Sequence, residues 1–263
     1  MDRATTTADL LMEMRSTLRR LPKLPDDTIP RSMAEAYQVQ GKVIERLLAR
    51  SGGRPVGYKI AATNQSAQKM LKVDAPFFGI LMSATTYASP VALPAPAFPI
   101  RCVEAEFGFE VAEDFPERGG GHTAESVKEH IGAVMPSMEL VEHRFHDWSA
   151  VGAPSLIADN AIHGGWVFGE PRRNWRDFDY SIHAMTMSAN GKEVATGTGA
   201  AVLGNPLNVM AWLANELERH GRRLRKGDKI TTGTVANVYQ AKPGDRVVAD
   251  FGAIGRAEVT FTP

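Results

Sequence analysis

The stretch RCVEAEFGFEVAEDF, residues 101–115, limits what the rest of the chain can become. It alternates almost strictly. A period of two belongs to a β-strand, whose side chains point in turn to opposite faces. Val103, Ala105, Phe107, Phe109 and Val111 make one face, apolar enough for a core. Glu104, Glu106, Gly108 and Glu110 make the other. On that face Glu104 and Glu106 lie about 7 Å apart at Cα. Two carboxylates so close repel unless water solvates them or a cation lies between them. Mg²⁺ and Mn²⁺ want oxygen ligands and complete an octahedral shell with water or substrate. Gly108 is read as leaving room beside the pair. The E-x-E spacing alone leaves open a simpler reading, an exposed strand face.

A third ligand is sought in VMPSMELVEHRFHDW, residues 134–148. If this segment is helical, Glu139, Glu142 and His146 share a face and suggest a carboxylate–histidine metal site. HRFH reads equally as a surface pair. There is no H-E-x-x-H, which removes the zinc-protease reading. There is no G-x-x-x-x-G-K-[ST] and no G-x-S-x-G. GTGAAVLG, residues 197–204, resembles a dinucleotide loop, but its third glycine is misplaced and no βαβ unit surrounds it. The single cysteine, Cys102, excludes an intramolecular disulfide and fits a reducing cytoplasm. As a free thiol it is expected to be a small buried apolar residue rather than a nucleophile.

The chain has 263 residues, enough for a full core as one large domain or a large and a small one. Lys plus Arg and Asp plus Glu both number 30, so the usual electrostatic basis for nucleic-acid binding is missing. The N-terminal stretch carries Asp2, Asp9 and Glu13 and lacks the apolar run of a secretory signal. The apolar stretch around 199–214 is broken by Asn205, Pro206 and Asn208 and is not read as a membrane span.

Residues 7–20 carry Leu10, Leu11, Met14 and Leu18 at helical spacing. Ser32 with Glu35 reads as a capping box opening a second helix, which Gly52–Gly53 ends. RPVGYKIAAT (54–63) reads as a strand, and TNQSAQKML as a short helix capped near Thr63 or Asn64. Residues 90–99 hold four prolines and predict a connector rather than a sheet interior. A Gly-rich loop at 119–121 precedes a helix expected over 123–134, with Val127, Ile131 and Val134 in register. Strands are expected at 164–169, 180–188, 192–198, 228–233, 246–251 and 256–261. A helix opens at Asn205–Pro206, and Gly221 follows its end.

Read in order, GYKIAAT, VDAPFFGIL, VEAEFGF, PSMELVEHRFHDW, ADN, ATGTGAAVLGNPLNVMAWLANEL, ITTGT and PGDRVVADFGAIG form a familiar series. The chain resembles the 2-keto-4-pentenoate hydratase and 4-oxalocrotonate decarboxylase group of the fumarylacetoacetate hydrolase superfamily, from about residue 30 to the C-terminus. The resemblance implies an α+β fold: a mixed β-roll with a small helical N-terminal lobe, divided as 1–63 and 64–263. It implies a homo-oligomer and a Mg²⁺ or Mn²⁺ site held by Glu104, Glu106 and Glu139, with Glu110 and Glu142 beside the ligands or solvated. Lys59 carries over as an active-site cation or proton shuttle. Asp159 and Asn160 match a loop that shapes the pocket. Thr232 and Gly233 match a segment that approaches the substrate carboxylate.

Two departures stand out. Phe77 occupies a position where many hydratases have an acid. Ile162 and His163 follow ADN, where a serine is common. His163 is expected either to supply the missing proton-transfer group or to be a satisfied structural histidine. The activity implied is a metal-dependent lyase hydrating a 2-hydroxy-2,4-dienoate to a 4-hydroxy-2-oxo acid. The rivals are a vinylogous 2-oxo acid decarboxylase, an acylpyruvate-type C–C hydrolase, and a non-catalytic partner subunit. The drier pocket made by Phe77 and Ile162 favours a mono-acid substrate over one with a second carboxylate.

Overall fold

The structure is a computed structural model that describes residues 2–263. Helix α1 (Arg3–Thr17) is capped by Asp2, whose side chain accepts from the Thr5 N–H. It buries Leu11 and Met14, while Leu18 lies past its end and is exposed. Helix α2 (Met33–Ser51) has the cap expected. The Ser32 hydroxyl accepts from the Glu35 N–H, and Gly52 closes the helix in the left-handed region. The Glu35 carboxylate accepts from the N–H of Arg31 rather than from that of the cap residue. α1 packs on α2, and α2 packs on α5 (Ala153–Ala158).

The other elements, in chain order, are β1 (Pro55–Ala61), α3 (Gln65–Leu71), β2 (Phe77–Met82), β3 (Thr86–Ala88), β4 (Val91–Pro94), β5 (Cys102–Val111), α4 (Ala124–Val127), β6 (Ile131–Val141), β7 (His163–Phe168), β8 (Ala184–Ala189), β9 (Lys192–Thr198), α6 (Pro206–Arg219), β10 (Lys229–Thr231), β11 (Tyr239–Gln240), β12 (Arg246–Asp250) and β13 (Arg256–Thr262). They form two sheets. The larger runs β2-β1-β10-β5-β6-β7-β3, with β11 added to β5. The smaller runs β4-β13-β12-β8-β9. β1 lies inside the larger sheet, between β2 and β10, so the parts on either side of residue 63 share one hydrogen-bonded ladder. The proline-rich connector supplies only β4, at the edge of the smaller sheet, where missing N–H groups are tolerated.

The main core lies over the apolar face of β5. Val103, Ala105, Phe107, Phe109 and Val111 are all essentially inaccessible. α6, opened by Asn205 and Pro206 as expected, presses Val209, Met210, Leu213 and Leu217 into it. Among the described residues, no helix is long and apolar enough to cross a membrane.

Two expectations fail in the same place. The helix predicted over 123–134 stops after Val127, and residues 134–148 are not helical; β6 takes Ile131–Val141 instead. The helical spacing of Val127, Ile131 and Val134 is real, but β6 pairs with β5 along nearly its whole length, from Cys102–Val141 to Val111–Ile131. That ladder, with β7 and the Gly169 and Arg172 backbone on the other edge, supplies the backbone partners that a helix would have supplied, and burial of β6 on both faces overrides local propensity. A helix placing Glu139, Glu142 and His146 on one face is therefore ruled out. His146 is exposed, and the buried Glu142 carboxylate accepts from the backbone N–H groups of Ile100 and Arg101 at 2.9 and 2.7 Å.

The helices are tied to the sheet by ions. Asp159, fully buried, receives Arg15 at 2.8 Å and Arg144 at 2.6 Å. Removing one member of such a buried group leaves the others uncompensated, at a cost of about 3–5 kcal/mol. Asp159→Asn is therefore expected to lower unfolding free energy in urea by about that amount. Arg19→Gln, which breaks only the exposed pair with Glu13, should change it by less than about 1 kcal/mol.

Candidate metal centre

The β5–β6 register sets Glu104 directly opposite Glu139, and Glu106 opposite Ser137. Like charges facing each other across a ladder are destabilising. Here the cost is higher, because Glu106 and Glu139 are fully buried. A carboxylate oxygen from each of Glu104, Glu106 and Glu139 can be chosen so that all three lie within 4.8 Å of one another. The polar face of β5 is thus not an exposed strand face. Gly108 also has a different role from the one expected. A Cβ there would stand 2.7 Å from Met135 Cγ and 3.0 Å from Trp166, so Gly108 admits their packing rather than space beside the acids. Glu110 ends the row in an ion pair with Lys229, 3.0 Å away.

Glu106 and Glu139 have distinct sets of partners. Lys59 Nζ, from β1, lies 3.0 Å from Glu139 Oε2 and donates to the Ala161 carbonyl at 3.0 Å. His163 Nδ1, at the start of β7, lies 2.9 Å from Glu139 Oε1. The Thr231 hydroxyl and the Gly233 N–H, the latter at 2.7 Å, both donate to Glu106 Oε2. Glu106 Oε1 is buried with no partner. Burial, reinforced by Glu139, pushes Glu104 up to about 7 and raises Glu106 well above the usual carboxylate range. Burial pushes Glu139 the same way, but the Lys59 ammonium and the His163 hydrogen bond outweigh it, and Glu139 is lowered. Burial works against the charge on Lys59, yet the three glutamates hold its pKa above the ordinary value. Burial lowers His163, so Nδ1–H donates to an ionised Glu139 from a neutral ring.

These residues fit a divalent cation. With all three ionised, three carboxylates face one ammonium, an excess of two negative charges, which is why burial favours protons on Glu104 and Glu106 and a cation can take their place. The donor set is all oxygen, as Mg²⁺ and Mn²⁺ prefer, and an orphaned Glu106 oxygen awaits a partner.

A cavity of about 250 Å³ opens over Glu104 and Lys59. Phe77 and Ile162 stand on its wall, as the dry-pocket reading expected, with Leu71, Val141, Trp148 and Leu156. Cys102 also lines it, its thiol pushed up to about 12 by burial and Glu104, so it stays protonated. Gly233 lines the cavity, at φ +91 and packed so tightly on Thr63 that a Cβ would collide. Thr232 is turned away, its hydroxyl donating to the Phe107 carbonyl at 3.0 Å.

Asp159 and Asn160 stand behind the wall. The Asn160 amide pairs with both the N–H and the carbonyl of Ile80, at 2.7 and 3.0 Å, as a neighbouring strand would. Asn160, Ala161 and Ile162 all lie at positive φ, at 56°, 51° and 55°. For a β-branched residue this is an outlier that only dense support maintains. The turn aims the Ala161 carbonyl at Lys59. Sequence reasoning missed Thr231, Thr63, Trp148 and the arginines on Asp159. Only Thr231 carried a signal, its place beside Thr232 and Gly233 in ITTGT.

Residues 54–262 match the family described as fumarylacetoacetate (FAA) hydrolase C-terminal. A 2-keto-4-pentenoate hydratase of Paraburkholderia xenovorans (strain LB400) is 34% identical over 236 residues, 89% of this chain and 86% of the relative. A 2-hydroxyhexa-2,4-dienoate hydratase of Comamonas testosteroni is 32% identical over 259 residues, 98% of this chain and 97% of the relative. Among solved structures, 4-oxalocrotonate decarboxylase from Pseudomonas putida G7, complexed with magnesium and adipate, superposes with a TM-score of 0.90 at 25% identity. That match covers 98% of this chain and 97% of that one.

Glu106→Gln is expected to abolish Mg²⁺ binding in titration calorimetry while the protein stays folded, since the change removes a buried charge rather than adding one. In the wild type the cation must displace protons from Glu104 and Glu106, whose pKa values are raised. Affinity should therefore fall as pH drops from about 8 to about 6, by about tenfold per unit for each proton displaced.

Proposed function

The chain belongs to the fumarylacetoacetate (FAA) hydrolase C-terminal family, and on that premise we propose that it is a metal-dependent hydro-lyase adding water to a mono-acid 2-hydroxy-2,4-dienoate. The observation that carries this reading is the cavity. Lys59 is the one cationic side chain on its wall, at the acidic end, and the rest of the wall is largely apolar. A substrate with one carboxylate and a short hydrocarbon tail matches that distribution. A second carboxylate at the far end would be buried without a cationic partner, which is costly. This favours hydration over decarboxylation of a dicarboxylate. The hydratase relatives support the same choice. We read the two sheets as the mixed β-roll and α1 with α2 as its N-terminal lobe, in a homo-oligomer.

Glu104, Glu106 and Glu139 would hold Mg²⁺ or Mn²⁺, which when bound supplies a Lewis acid for the substrate carboxylate and 2-oxygen. Thr231 and the Gly233 N–H fix Glu106 through one oxygen, leaving the other for the ligand. His163 acts through Glu139 and does not line the cavity, so positioning is its role in this reading. Lys59, held protonated by the acids, places positive charge where negative charge develops on the substrate as the dienol gives the 2-oxo-3-enoate. Water then adds oxygen at C4 and a proton at C3. Phe77, Ile162 and Trp148 keep other water away from the tail. Asp159 and Asn160 shape the pocket from behind, by holding the left-handed turn that faces Lys59.

The purified chain with Mg²⁺ is expected to consume 2-hydroxypenta-2,4-dienoate, followed by loss of dienoate absorbance, with a product one water heavier by mass. The dicarboxylate analogue should react at least about tenfold more slowly, consistent with one unpaired buried charge. Rapid CO₂ release from the dicarboxylate, or cleavage of an acylpyruvate without hydration, would overturn the assignment. Lys59→Met should lower kcat by about 10²–10⁴-fold while Mg²⁺ still binds, because the carboxylates remain.

A further inference from the structure

A second cavity, of about 440 Å³, lies between α1, the end of α2, the segment around Phe98–Ile100, and Glu142–Arg144. Its wall carries Arg15, Arg19, Arg20, Arg50 and Arg144, with His143. The acids available to them are few. Arg15 and Arg144 share Asp159, and Arg19 pairs with Glu13. Glu142 faces the cavity, but its carboxylate is occupied by the Ile100 and Arg101 N–H groups. Arg20 and Arg50 form no ion pair among the described residues. Five guanidiniums thus answer to three carboxylates, an excess of two positive charges in a concave site.

A second observation points to a ligand. Arg144 is 7% exposed, and while its Nε donates to Asp159, its Nη2 is buried with no acceptor. His143 Nδ1 is likewise buried and unpartnered. Guanidinium donors are seldom left unmet in dry surroundings, because the lost hydration is not returned.

We propose that this cavity binds a small dianionic oxyanion of the phosphate type, held by Arg20, Arg50 and the incompletely partnered Arg144 on its wall. The excess of two charges matches a dianion, and the planar forks of several arginines suit tetrahedral oxygens. The proposal is independent of the reaction assigned above.

The test uses the full chain loaded with Mg²⁺. Inorganic phosphate is titrated by calorimetry and by thermal melting, with NaCl at matched ionic strength as control. Binding is expected to be saturable, to raise Tm, and to be weakened at least about tenfold in Arg20→Gln/Arg50→Gln, each lost fork contact to phosphate being a charge-assisted bond. It should persist in Glu106→Gln, which separates it from phosphate captured by the metal. Three results would overturn the proposal. One is a response matched by NaCl, and another is a response lost in Glu106→Gln but kept in the arginine variant. The third is no phosphate binding by the wild type; a changed oligomeric state in the arginine variant would then make the cavity an interface between copies.

Discussion

Three carboxylates against one ammonium, all on one sheet face, is the imbalance around which the molecule is arranged. A folded chain does not ordinarily accept like charges opposite each other on adjacent strands. It does so here because two of the acids, Glu106 and Glu139, are pinned from different directions. β10 and the loop after it hold Glu106, β1 supplies the lysine to Glu139, and β7 supplies the histidine. Those strands are neighbours of β5 and β6 or their neighbours in turn, so the topology of the larger sheet and the wiring of the site are one arrangement.

The helices take part through Asp159. Arg15 of α1 and Arg144, just beyond β6, converge on it, and the next residues form the left-handed turn whose Ala161 carbonyl holds Lys59. Gln40 of α2 adds a second tie, its amide donating to the carbonyls of Phe78 and Ile157 at 2.9 and 3.0 Å. A backbone geometry that costs energy at three successive residues persists because charged and amide groups surround it. Gly79 is part of that support, since a Cβ there would stand 2.7 Å from the Asn160 carbonyl.

Much of this was legible in the sequence, and its limits have physical causes. The alternation of β5 fixed which residues enter the core, because one face of a strand must be apolar to be buried. Ser32, Asn205 and Pro206 marked helix starts because orphaned N–H groups select those residues locally. Phe77 and Ile162 were read as a dry wall from the resemblance, and they line the cavity. β6 was misread because a strand buried on both faces loses its alternation, leaving a run that also fits helical spacing. The Arg15–Asp159 pair joins residues 144 positions apart, and no local pattern encodes such a partner. Gly108 was assigned to the wrong neighbour because a missing side chain makes room without saying for what.

The register of β5 and β6 has one more consequence. The two strands form a long antiparallel pair whose connection, residues 112–130, lies beyond Val111. Glu104 and Glu139 sit at the other end, near where the pair opens. Open ends of hairpins fray first, since nothing covalent joins the strands there. Glu142 sits at that mouth, its carboxylate gripping the Ile100 and Arg101 amides on the opposite chain. It works as a stitch that keeps the two ligand strands from peeling apart. The connection at the far end has a different anchor, since Phe115 and Val127 are buried in the core and His122 bonds to Asn215 and Glu218 of α6.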